Sequence, residues 1–157
     1  MLAVGAVAPE FEAPSSDGRT VRLSDFRGKA VVLYFFPKAH TPLCAMETRR
    51  FRDNHADLAA LGAEVIGVSS DELGVQCEFG RRQQVNFPLL ADPDRRIANA
   101  YGVLWPMFGR ARRVTFVIDE AARVELVCWH EFQVSKHLDE VLLHLQKRSP
   151  RSASARP

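Results

Sequence analysis

Six apolar residues, Val31-Val32-Leu33-Tyr34-Phe35-Phe36, run straight into Pro37-Lys38-Ala39-His40-Thr41-Pro42-Leu43-Cys44, and no other stretch constrains the fold as strongly. The apolar run is read as a strand, and the residues after it follow an amphipathic, helical pattern. Thr41 is a good N-cap, with its hydroxyl free to cap the helix, and Pro42 suits the first helical position, which puts Cys44 at the third. There the unpaired backbone N–H groups and the positive end of the helix dipole favour a thiolate. A strand is thus expected to deliver one nucleophilic sulfur to the first turn of a helix.

The remaining pattern completes one domain. Residues 8–23 alternate in short stretches about a Ser-Ser-Asp-Gly turn signal and read as a small hairpin or extended edge. The helix begun near Thr41 is expected to run through Phe51, Leu58 and Leu61 to a stop at Gly62. A strand over 64–69, a helix from about Asp71 to Gln84 and a short helix from about Asp94 to Tyr101 follow. Strands 114–119 and 124–129 form an expected antiparallel pair turned at Ala121-Ala122, and a last helix covers about Ser135 to Gln146. This order, β-α-β-α and then a hairpin and terminal helix, predicts an α/β fold with a mixed central sheet flanked by helices. In such sheets chemistry collects at the carboxyl ends of the strands, where Cys44 falls.

Composition excludes several classes. A chain of 157 residues with 46% hydrophobic and 25% charged content suits one soluble domain. No apolar run approaches the ~20 residues that span a bilayer, and the N-terminus lacks a signal-peptide pattern, so a cytoplasmic location is expected. The net charge of +2 includes +4 from Lys147, Arg148, Arg151 and Arg156 in the last eleven residues, which leaves −2 for the body. That distribution does not suit a nucleic-acid binder. The domain is taken as residues 1–147, and 148–157 as a disordered basic tail. Cys44, Cys77 and Cys128 lie at least 33 positions apart, which excludes a C-x-x-C motif or a zinc knuckle. His130, His137 and His144 recur every seven residues. The two that share a helix are separated by a rise of ~10 Å, so no metal site is expected from them, and no cofactor.

Pro37, Thr41 and Cys44 also satisfy P-x-x-x-T-x-x-C, the active-site motif of peroxiredoxins. Ala8-Pro9-Glu10-Phe11, residues 23–29, Phe51-Arg52-Asp53-Asn54, Gly67-Val68-Ser69-Ser70-Asp71, residues 87–92 and Arg113-Val114-Thr115-Phe116-Val117-Ile118-Asp119 extend the likeness over roughly residues 4–146. The chain resembles the AhpC/TSA family, in particular its bacterioferritin-comigratory (PrxQ) branch. That resemblance implies a thioredoxin-like fold and reduction of a hydroperoxide, hydrogen peroxide or an organic one, by a cysteine thiolate. It makes Cys44 the attacking sulfur, Arg113 its stabilising cation, Thr41 a hydrogen-bonding partner of the peroxide and Pro37 a shield against water. Arg110 and Arg112 are expected to be solvated strand-end charges. Glu47, one turn after Cys44, either holds the arginine or serves as a favourable acid near the helix start.

The catalytic cycle is where this chain departs from its likeness. Position 49, where many PrxQ proteins carry a second cysteine, is Arg49. Cys77 is then either the resolving cysteine, forming an intramolecular disulfide reduced by thioredoxin or a similar thiol protein, or a small residue in a helix–sheet interface. An external thiol acting directly on the sulfenic acid, and a non-enzymatic redox sensor, are the alternatives. Cys128, mid-strand, is expected to be a buried core thiol, and His40 an exposed loop residue. Val103-Leu104-Trp105-Pro106-Met107-Phe108 is expected to line the peroxide pocket or a dimer surface, in a monomer or weak homodimer.

Overall fold

The computed structural model describes residues 1–148. Two short strands, β1 (Glu12–Pro14) and β2 (Thr20–Arg22), form the expected hairpin. Next come β3 (Ala30–Phe35), α1 (Pro42–Asp53), α2 (His55–Ala60), β4 (Ala63–Ser69) and α3 (Leu73–Arg82). The chain continues through β5 (Leu89–Ala91), α4 (Arg96–Ala100), β6 (Val114–Ile118), β7 (Val124–Trp129) and α5 (Ser135–Lys147). The main sheet has the order β5-β4-β3-β6-β7. Its β3, β4 and β5 run parallel, while β6 and β7 are antiparallel to their neighbours.

Central position explains why β3 is apolar throughout: both faces are covered. Val31, Leu33 and Phe35 pack with Phe116, Tyr101 and the N-terminal hairpin. Val32, Tyr34 and Phe36 pack on the other face with Cys44, Phe51, Phe79 and the α5 residues Leu138 and Val141. Alternation at period two decides which face each residue serves. Tyr34 lies opposite both Gly67 and Thr115, and its ring occupies the space above Gly67.

The helix expected over residues 41–62 is broken in two. Asn54 adopts φ −111° and ψ 13°, and its Nδ2 donates to Arg50 O at 2.8 Å. The Asn54 backbone N–H reaches the same carbonyl at 3.2 Å, so residue 54 caps α1 with two donors as it leaves helical dihedrals, and a second short helix restarts beyond it. Asp71 is also outside the helix assigned to it. Its Oδ2 accepts the Ala39 N–H at 2.7 Å and the Ser69 hydroxyl at 2.7 Å, clamping the loop after β3 to the end of β4. Arg148, assigned to the tail, is docked on Glu120 (Nη2–Oε1 2.6 Å) and Glu125. The rest of the expected disordered tail lies outside the described residues.

Candidate active site

Strand direction gathers the site at one end of the sheet. β3 ends at Phe35, β4 at Ser69, and the antiparallel β6 begins at Val114 opposite Phe35, with Trp129 at the end of β7 opposite Val114. Segments 37–44, 69–71, 103–113 and 129–131 therefore converge, although up to about ninety positions separate them. Alternation then puts Arg113 and Thr115 on the same sheet face as Tyr34, beneath α1 and α5.

Cys44 occupies the third position of α1 and is fully buried. The inward stripe of α1 is Cys44, Glu47, Thr48 and Phe51, spaced i, i+3, i+4 and i+7, so helical periodicity drives a carboxylate into the interior beside the thiol. Arg113 meets both: its Nη1 donates to Cys44 Sγ at 3.3 Å and to Glu47 Oε1 at 3.0 Å. The guanidinium is itself held by Glu131, whose carbonyl accepts Nε at 2.8 Å and whose Oε2 accepts the Arg113 backbone N–H at 3.0 Å. Of the two roles open for Glu47, the structure shows the pairing with arginine. Burial pushes the Glu47 carboxyl up to about 8 although Arg113 opposes it. Burial also weakens the hold of Arg113 on its proton, but the charges of Cys44 and Glu47 outweigh it and raise its pKa.

The other expected site residues fall as follows. Thr41 is the N-cap by backbone conformation, but its hydroxyl does not cap the helix: Oγ1 donates to Lys38 O at 2.8 Å, closing the loop instead. Its oxygen lone pairs stay available to an incoming donor. Pro37 is half-buried and, with Trp105, Phe108 and Arg110, lines a cleft of about 420 Å³. Arg112 is not a solvated charge. Its guanidinium carbon lies over both Trp105 (4.8 Å) and Trp129 (4.9 Å), whose rings meet edge to face, so the weakly hydrated head rests on two aromatic faces. His40 is exposed in a left-handed turn, φ 65°.

Cys77 is an exposed, free thiol, not an interface residue. Phe79, two positions on and so about 200° around α3, faces the Cys44 side and packs on Phe36. Cys77 instead lines a groove with Ser16, Asp17, Gly80 and Pro88. Cys128 is buried as expected, and burial foremost, with Glu140 beside it, keeps its thiol protonated.

Sequence reading missed Glu131, Trp129 and the pair Thr115–His137. Thr115 Oγ1 and His137 Nδ1 are 2.8 Å apart, and His137 Nε2 is 2.9 Å from His130 O. A threonine inside an otherwise apolar strand was the available signal for Thr115. Glu131 sits in a loop and carried none.

The family model for AhpC/TSA proteins matches residues 4–127. The chain belongs to the AhpC/TSA family. Peroxiredoxin Bcp of Escherichia coli K12 is 34% identical over 154 residues, covering 94% of this chain and 98% of that protein. Chloroplastic peroxiredoxin Q of Gentiana triflora is 38% identical over 143 residues, 90% of this chain; the chain spans about two thirds (66%) of that relative's length. The crystal structure of peroxidoxin BcpB from Mycobacterium tuberculosis superposes with a TM-score of 0.89 at 34% identity, covering 95% of this chain and all of that one. This AhpC/TSA protein thus has the thioredoxin-like fold of its structural neighbours. No helix among its described residues is long and apolar enough to cross a membrane.

Proposed function

We propose that this AhpC/TSA protein is a thiol-dependent peroxidase in which Cys44 is the peroxidatic cysteine. The observation that carries the reading is the single guanidinium nitrogen of Arg113 that donates to Cys44 Sγ inside a dry site. A buried cation aimed at sulfur stabilises a thiolate, and the same donor set suits the charge that develops on a cleaving peroxide. The Cys44 sulfur attacks the terminal peroxide oxygen; the S–O bond forms, the O–O bond breaks, and water or an alcohol leaves once its oxygen is protonated. Cys44 becomes a sulfenic acid. Thr41 Oγ1, its own proton committed to Lys38 O, accepts the peroxide O–H, and Pro37 keeps water from the sulfur. The cleft between Pro37, Trp105, Phe108 and Arg110 takes the remainder of hydrogen peroxide or an organic hydroperoxide.

Cys77 resolves the sulfenic acid as an intramolecular disulfide, which thioredoxin or a similar thiol protein then reduces. Its exposure supports this, because an exposed thiol can move without emptying the core. Joining the two sulfurs needs Cα atoms within ~7 Å, so the first turn of α1 unwinds. The placement of Cys77 on the face of α3 away from Phe79 favours a second reading, direct reduction by an external thiol. The three free thiols support a reducing, cytoplasmic compartment.

Stopped-flow kinetics test the peroxidase reading. Reduced protein is expected to react with peroxide far faster than free cysteine, Cys44→Ser not at all, and Arg113→Lys at least about 100-fold more slowly. A wild-type rate equal to that of a free thiol overturns it.

A further inference from the structure

Leu138, Val141 and Leu145 anchor α5 on the sheet, and the same inward stripe carries a fully buried histidine, His137. Both of its ring nitrogens are occupied by polar contacts. Nε2 lies 2.9 Å from His130 O, and Nδ1 lies 2.8 Å from Thr115 Oγ1. A carbonyl can only accept, so Nε2 carries the ring hydrogen and donates it to His130 O. The bare Nδ1 accepts the Thr115 hydroxyl proton. Burial lowers the histidine to about 4, which agrees with a neutral ring. Glu47 Oε2, 3.6 Å from Nδ1, is beyond hydrogen-bond reach, so the ring acts on the strand and the turn that it bridges.

Those two contacts flank the grip on Arg113. Thr115 follows Arg113 by two positions, on the same face of the sheet, and His130 immediately precedes Glu131. The β6–β7 ladder ends at the pair Val114–Trp129, so Arg113 and Glu131 both lie past the last paired residues. Outside the ladder, residues 130–132 make no backbone–backbone hydrogen bond among the described residues. Phe132 is 81% exposed, so its side chain does not anchor the turn either. The turn that supplies both acceptors for Arg113 therefore depends on side-chain contacts. Glu131 is bonded by Trp129 Nε1 and by Arg113 itself, and His130 Nε2 pairs with Glu140 Oε2 at a partly exposed surface. His137 adds a contact whose donor is fully buried, on a helix that the core holds fixed.

We propose that His137 is a positioning residue for Arg113: it braces β6 against the turn after β7 and so holds the Glu131 acceptors where they aim the guanidinium at Cys44. The inference rests on the reading of Cys44 as the peroxidatic residue and Arg113 as its cation. The lever is short. From His137 Nε2 it runs through the His130 carbonyl and the next peptide bond to the Glu131 carbonyl, which accepts Arg113 Nε at 2.8 Å. Nη1 of the same guanidinium donates to Cys44 Sγ at 3.3 Å. Losing the brace leaves the charge of Arg113 in the site but lets its direction drift. Stabilisation of a reacting sulfur and a cleaving peroxide depends on that direction.

Two measurements test the proposal. In the reduced wild type at pH 7, proton–nitrogen correlation NMR of the imidazole is expected to show His137 as the neutral Nε2–H tautomer. A proton on Nδ1 alone leaves Nε2 with no hydrogen for His130 O and overturns the brace, whether or not any variant folds. Stopped-flow kinetics with hydrogen peroxide read the effect on Arg113. His137→Phe is expected to lower the rate constant about tenfold. His137→Gln, whose amide N–H reaches nearly the place of the imidazole Nε2–H, is expected to recover it to within about threefold. In an Arg113→Lys background His137→Phe is expected to cost less than about twofold, since the aim it supports is already lost. An unchanged rate in folded His137→Phe, a His137→Gln as slow as His137→Phe, or an undiminished loss in the Arg113→Lys background overturns the proposal alone. A wild type whose Cys44 gains no oxygen, read separately by intact mass, overturns the peroxidase reading and this one with it.

Discussion

Glu131 grips Arg113 from two sides, its carbonyl accepting the guanidinium Nε at 2.8 Å and its carboxylate accepting the backbone N–H at 3.0 Å. The same Oε2 accepts the Trp129 indole N–H at 2.6 Å. Removing the carboxylate in Glu131→Ala frees both donors and loosens the aim of Arg113 at Cys44. A peroxide rate constant lower by about tenfold and a stability lower by about 1–2 kcal/mol are expected. Stopped-flow kinetics and urea unfolding measure the two separately. An unchanged rate constant in a folded Glu131→Ala protein means that Arg113 is aimed without its help.

In the proposed cycle the fate of the sulfenic acid rests with Cys77. After one equivalent of peroxide the wild type is expected to lose two mass units and to yield a Cys44–Cys77 cross-linked peptide. Cys77→Ser is expected to stop at the +16 sulfenic acid. A wild type that also stops there, with Cys77 still free to alkylation, transfers the resolving step to an external thiol.

Gly67 bears on the packing beneath the site. A Cβ there would sit 2.7 Å from Leu89 Cδ2 and 2.8 Å from Tyr34 Cζ. Tyr34 has no room to give way. Its ring packs against Phe51 at 4.7 Å and Phe36 at 5.5 Å, and its hydroxyl is bonded to Thr48 at 2.9 Å. Gly67→Ala is expected to destabilise the protein by a net ~1–2 kcal/mol, overpacking outweighing the gain in backbone entropy. Thermal unfolding checks it, and a raised midpoint contradicts it.

Acid sensitivity follows from His137. Burial lowers it to about 4 in the folded protein, against 6.5 as its ordinary value. Between those values the unfolded chain binds a proton that the folded one does not, so falling pH favours unfolding. The contribution is fully present above about pH 6.5 and is lost progressively toward pH 4, at most about 3 kcal/mol. Urea unfolding at pH 7 and pH 5 is expected to show a larger loss for the wild type than for His137→Gln. Equal losses remove His137 as the cause.

Much of the fold was legible because its local signals agree. The apolar run at 31–36, the Thr-Pro opening of α1 and the stop at Gly62 report strand and helix through neighbours only a few residues apart. The break at Asn54 was missed because it depends on the dihedrals and side-chain bond of a single residue. Arg112 was misread for a related reason: its aromatic partners, Trp105 and Trp129, come from different segments.

By itself, the sequence determined the address of Cys44. Periodicity and capping chemistry are local, and they place Cys44 at the start of a helix that follows a buried strand. Its likeness to the AhpC/TSA family also singled out Arg113. Tertiary structure decided what surrounds the sulfur. Antiparallel pairing of β3 with β6 brings Arg113 to Cys44, the turn after β7 supplies Glu131, and α5 lays His137 over Glu47. These contacts join residues 18 to 90 positions apart. Only the packing of sheet against helix brings them together, because the burial and charge balance of the site exist in no single segment.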